Sequence, residues 1–144
     1  MWVLCLILAF ALTVESQPVG HHATLGPETK CLQELNLEAK QVIAYVHKVT
    51  DTSDKEGIGE YLACVWKKRQ IFLADGAVSS DNISRYYEDI YSSVNLSESN
   101  KNEMRNAFKV CANENDDQES VLAVKVKNCM ITVSKTLPFL RSTR

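Results

Sequence analysis

The chain has 144 residues, 45% of them hydrophobic and 24% charged, which suits one globular domain large enough to bury a core. Its 18 acids against 16 bases give a formal net charge of −2, and that argues against nucleic acid as a partner, because phosphate binding needs a net basic face. Lys67-Lys68-Arg69 is the single basic cluster; beside Trp66 it reads as a solvated helix face.

Residues 1–14 are apolar and uncharged but shorter than the roughly 20 apolar residues that span a bilayer. They read as the core of a secretory leader, although a basic start is missing and Trp2 follows Met1 directly. Val14-Glu15-Ser16 suits cleavage before Gln17, so the expected organisation is a signal peptide over 1–16 and one mature domain over 17–144. No other stretch is apolar enough to cross a membrane. The mature chain is therefore expected to be secreted and extracellular, with no membrane span after cleavage.

Apolar spacing then reads as helix almost throughout. Residues 17–26 are a loose lead-in, and Pro27 suits the first turn of a helix running through Cys31 to about Leu35. Leu37, Val42, Ile43, Val46 and Val49 mark a second helix over 37–49. Residues 50–53 are turn-like, with Ser53 and Glu56 spaced as a capping box. A third helix, firm from about Gly59, carries Leu62, Val65 and Trp66, and the sequence Ala74-Asp75-Gly76 marks a turn. Ser79 or Ser80 caps a fourth, whose stripe of Ile83, Tyr86, Tyr87, Ile90, Tyr91 and Val94 is the clearest in the chain. Ser97 opens a fifth with Met104, Phe108 and Cys111 on one face, and residues 113–117 form an acidic linker. Over 118–135 the valines alternate as in a strand, but Leu122, Val126, Cys129, Met130 and Val133 share a helical face and no partner strand exists, so this is a sixth helix. A tail follows from Thr136.

Four cysteines remain once Cys5 leaves with the leader: Cys31, Cys64, Cys111 and Cys129. An even number in a secreted chain predicts two disulfides, with three pairings open. Zinc is disfavoured: no two of these cysteines share a short spacing, and His21, His22 and His47 are not placed to complete a site. Neither a metal nor a cofactor is expected.

The segment 59–76 carries Tyr61, Cys64, Trp66, an apolar stretch and the Asp75-Gly76 turn, and it resembles the central signature of the insect odorant- and pheromone-binding (PBP/GOBP) proteins. The usual member of that family has six cysteines. Glu60 and Ser120 stand where the second and fifth would be, so the chain resembles the four-cysteine "minus-C" type over about residues 28–135. The resemblance implies pairing of Cys31 with Cys64 and of Cys111 with Cys129, and no covalent tie between the third and sixth helices. It implies an all-α, compact single domain of about six short helices around an internal apolar cavity. The implied function is carriage of small hydrophobic molecules, with a membrane chemoreceptor as a further partner.

Residues expected to touch ligand are Trp66 and Phe72, Ile83, Tyr87 and Tyr91 on the fourth helix, Met104 and Phe108 on the fifth, Val121 and Val124 on the sixth, and Phe139 in the tail. Each is also a natural core residue. His47 is the candidate proton acceptor for pH-dependent release. An enzyme is disfavoured: there is no G-x-S-x-G elbow, no H-E-x-x-H, and no Cys-His nucleophile pair once the cysteines are bridged. A helical signalling protein of the cytokine kind is the rival reading, and it would have a solid core. Asn82 and Asn95 lie in glycosylation sequons, Asn82 badly placed at a helix start.

Overall fold

The computed structural model describes residues 26–53 and 57–141; the expected leader, Cys5, His21, His22 and Glu56 of the expected capping box lie outside them. The described chain is all-α, with an isolated antiparallel bridge between Phe72 and Val78 in place of any sheet.

Helix α1 spans Gly26–Glu34 and starts with Pro27, whose missing N–H is harmless in a first turn. The chain leaves it through Asn36, in the left-handed region at φ 52°, where the Leu37 N–H turns back to the Leu32 carbonyl at 2.9 Å. Helix α2 spans Ala39–Val46 and is shorter than its apolar stretch. Glu38 and Gln41 cap it reciprocally, so Leu37 falls in the connection, and Val49, beyond its end, is exposed.

Helix α3, Ile58–Lys68, is central, and Ile58, Tyr61, Leu62, Ala63, Val65 and Trp66 are all buried. The long helix α6, Glu119–Ser134, lies against it and buries Leu122, Ala123, Val124, Val126, Lys127 and Met130. Helix burial on most sides explains why its valines imitate a strand. The two helices approach at backbone distance: a Cβ on Gly59 would stand 2.7 Å from the Ser120 carbonyl oxygen. Trp66 Nε1 donates to the Ala123 carbonyl at 3.1 Å, and Lys67 pairs with Glu119. Glu60, one of the two expected sites of a missing bridge, is exposed, and the glycine before it makes the close contact.

After α3, Gly76 at φ +85° and an Asp75 carboxylate accepting the Ala77 N–H form the expected turn. Helix α4, Ser80–Ile90, is capped by Ser79, whose hydroxyl accepts the Asn82 N–H. It stops at Ile90, which is exposed, and Val94 lies past its end. Helix α5, Glu98–Phe108, is capped by Ser97 and runs into a 3-10 turn, Lys109–Asn113, that carries Cys111. The expected tail contains a short α7, Pro138–Arg141, with Leu137 and Leu140 buried, which makes seven α-helices among the described residues. No helix among them is long and apolar enough to cross a membrane.

The disulfides are Cys31–Cys64, joining α1 to α3, and Cys111–Cys129, joining the 3-10 turn to α6. Bridges over sequence separations of 33 and 18 residues each stabilise by about 3–4 kcal/mol on a loop-entropy argument. In the basic run Lys67 and Lys68 are exposed, as expected of a solvated helix face, and Arg69 departs from it. Three successive helical residues point about 100° apart: Lys67 reaches Glu119, Lys68 reaches Glu34, and Arg69 turns inward. There Arg69 holds both carboxylate oxygens of Glu28 at 2.9 Å, contacts Asp89 at 3.1 Å and stacks over the Tyr86 ring, tying α1, α3 and α4 together.

Candidate ligand-binding pocket

The α2 sequence places Ala39, Val42, Ile43, Val46 and His47 at i, i+3, i+4, i+7 and i+8, one continuous stripe. The stripe does not close onto α3. Between them lies a cavity of about 400 Å³, within the usual range for a small-molecule site. Helix α1 contributes Glu28, Thr29 and Leu32; α3 contributes Tyr61, Leu62, Val65 and Trp66; Tyr86 comes from α4 and Lys127 from α6. Its rim is wet: Thr29, Ala39 and His47 are exposed, and Ile43 is 57% exposed.

The polar groups of this wall are few. Glu28 is neutralised by Arg69. Burial, with Glu28 adding to it, pushes the Tyr86 hydroxyl up to about 12, and burial likewise raises Tyr61, so both phenols stay protonated near neutrality and can donate to a ligand oxygen. The Tyr86 ring meets Trp66 edge to face at 5.6 Å. Lys127 is 3% exposed, and its Nζ donates to the carbonyls of Tyr45 at 3.1 Å and Lys48 at 2.8 Å and to the Thr50 hydroxyl.

Among the residues expected to touch ligand, Trp66 lines this cavity. Ile83, Met104 and Phe108 have no exposed surface and belong to a packed centre between α4, α5 and α6. There Tyr87 stacks on Phe108 at 4.7 Å and donates to the Met130 carbonyl, while Tyr91 stacks on Tyr87 from the end of α4. Phe72 is buried at the bridge to Val78. Val124 lines a separate cavity of about 310 Å³ behind α2, with Tyr45, Thr50 and Ile58. Val121 is half-buried on α6, and Phe139 is half-buried on α7. The structure brings Ile83, Tyr87, Met104 and Phe108 together, but in a space the protein fills itself.

The residues not expected on the wall are the α1 and α2 contributors, Tyr61, Leu62, Val65, Tyr86 and Lys127. The α2 stripe was visible as apolar periodicity. Nothing local marked Lys127, a lysine in a valine-rich helix whose acceptors come from residues 45–50. His47 ends α2 on the pocket rim, exposed. Asn82 gives its side-chain amide to the Gln70 carbonyl at 2.7 Å, whereas Asn95 is exposed before α5. Cys31, Glu34 and Cys64 gather metal-ligand-type atoms within 4.8 Å, but the two sulfurs are bonded to each other and offer no thiolate.

An all-helical domain with these two bridges and an apolar pocket has a counterpart among known families. The PBP/GOBP family model matches residues 22–133. The chain belongs to the PBP/GOBP family. Its members are binding proteins for small hydrophobic ligands rather than enzymes, and they are secreted, which the two disulfides of this PBP/GOBP chain fit. No curated protein matches the sequence significantly.

Proposed function

We propose that the protein is a secreted carrier that holds one small lipophilic molecule, of the odorant or pheromone kind, in the cavity between α1, α2 and α3. The observation that carries this reading is the unfilled apolar space under α2, lined by Leu32, Val42, Val46, Leu62, Val65 and Trp66. Binding there comes chiefly from removing apolar surface from water. About 300 Å² of ligand at about 25 cal/mol per Å² gives roughly 7–8 kcal/mol before ordering costs, the scale of micromolar affinity. The phenols of buried Tyr61 and half-buried Tyr86 can orient an alcohol, aldehyde or ester oxygen.

The packed centre around Phe108 is the feature that favours the rival, a solid signalling bundle, and one experiment separates the two. Trp2 and Trp66 are the tryptophans of the sequence, so a chain beginning at Gln17 reports through Trp66 alone, on the pocket wall. Titration with an apolar fluorescent probe should change Trp66 emission and brighten the probe, and long-chain alcohols should displace it. A probe that stays dark at every concentration overturns the carrier reading.

A further inference from the structure

Lys127 is the feature of this pocket that simple carriage of a neutral volatile leaves unused. Its side chain is buried within an apolar helix between Val126 and Met130, and it forms pocket wall beside Val46 and His47. All three ammonium hydrogens are taken, by the Tyr45 and Lys48 carbonyls and the Thr50 hydroxyl. These are neutral acceptors. No carboxylate among the described residues pairs with it, and the nearby pocket acid, Glu28, is held by Arg69. A buried ammonium without a counterion is costly, and methionine would fill the same volume without that cost. Capping the end of α2 accounts for the two carbonyls; it does not require a full charge. Of the three acceptors, Thr50 Oγ1 alone belongs to a side chain, and rotation of that hydroxyl releases an N–H.

We propose that the cavity selects apolar-chain monocarboxylates, with the carboxylate taking from Lys127, beside Val46 and His47, the N–H that the Thr50 hydroxyl releases, and the chain lying along Val46, Val42 and Leu32. The inference rests on the carrier reading above and specifies its ligand class. The carboxylate supplies the missing counterion to a lysine that is itself buried, where a charge-assisted hydrogen bond is about twice as strong as a neutral one. The other charges near the head are Lys48, which adds to the attraction, and the exposed Asp51 and His47.

The test is displacement of N-phenyl-1-naphthylamine from the mature chain at neutral pH by dodecanoic acid, dodecanol and methyl dodecanoate. The acid should bind about tenfold more tightly than the alcohol or the ester, the scale of one charged hydrogen bond. Lys127→Met should bring the acid-to-alcohol ratio down to about one, whatever it does to the affinity for both. Thr50→Val, which removes a competing acceptor and keeps the lysine, should raise the acid-to-alcohol ratio at least twofold. Equal displacement by acid and alcohol in the unmutated protein overturns the inference, as does a preference that survives Lys127→Met. If Lys127→Met does not fold, the Thr50→Val ratio decides: unchanged or lower overturns the inference. Failure of the probe to bind at all removes the carrier reading instead, so the two failures are distinct.

Discussion

The two halves of this molecule use similar apolar helices to opposite ends. Around α4, α5 and the C-terminal part of α6, Ile83, Met104, Phe108 and Val126 have no exposed surface, Tyr87 stacks on Phe108, and Cys111–Cys129 closes the group. Around α1, α2 and α3 the apolar stripe of α2 faces a cavity. The difference lies in what holds the helix. Helix α2 has one buried residue, Val42, and the chain at its C-terminal end is fastened by hydrogen bonds rather than packing. Lys127 takes the carbonyls of Tyr45 and Lys48, and Asn128 exchanges two bonds with the Thr50 backbone. A helix held at its end by polar bonds can stand off its neighbours. A helix held by interdigitated side chains cannot.

The largest effect should come from the packed half. Phe108→Ala is expected to cost about 3–5 kcal/mol in urea-induced unfolding, with probe affinity per folded molecule unchanged. A loss of probe binding with little loss of stability would put the ligand in the wrong half. Next is the seam between the halves. Gly59→Ala forces a methyl against the Ser120 backbone and should cost about 1–3 kcal/mol, since neither helix backbone yields as a flexible side chain would. Smaller in stability but decisive for function, Val42→Phe fills the cavity: unfolding should shift by less than about 1 kcal/mol, while probe affinity falls at least about tenfold. A Val42→Phe protein that binds as before would show that α2 does not cover the site.

The subtlest prediction is in pH. Burial, with Lys48 alongside, lowers the Lys127 ammonium to about 8 from its ordinary 10.5, and the C-terminal carbonyls of α2 work in the other direction. A lysine lowered on folding binds more protons when unfolded, so stability of the ligand-free protein should rise between about pH 8 and the ordinary lysine range. Tyr61, Tyr86 and Tyr87 are raised above the ordinary value of 10.0, chiefly by burial, and therefore take stability away once the unfolded tyrosines ionise above about pH 10. The urea midpoint should climb and then fall. Lys127→Met should flatten the climb and leave the fall intact.

Much of the fold was legible because it is local. Ser79 and Ser97 cap the helices they precede, Pro27 sits in a first turn, and Asp75-Gly76 makes its turn from its own backbone and side chain. Helix ends set by neighbours were less legible: α2 stops at Val46 and α4 at Ile90, although apolar residues continue to Val49 and Val94. The short α7 also depends on docking, since Leu137 and Leu140 join the buried core of the domain.

By itself the sequence did not determine which apolar face would stay open, but it did determine an all-helical chain, its caps and turns, and a two-bridge framework. Periodicity states that a face of α2 or α4 is apolar; it is silent on what stands opposite. Tertiary structure decided that Phe108 and Met104 fill the space before α4, while nothing fills the space before α2. It also decided the burial of Lys127, because a lysine can leave water only where acceptors are supplied, and here they come from residues about 80 positions earlier in the chain.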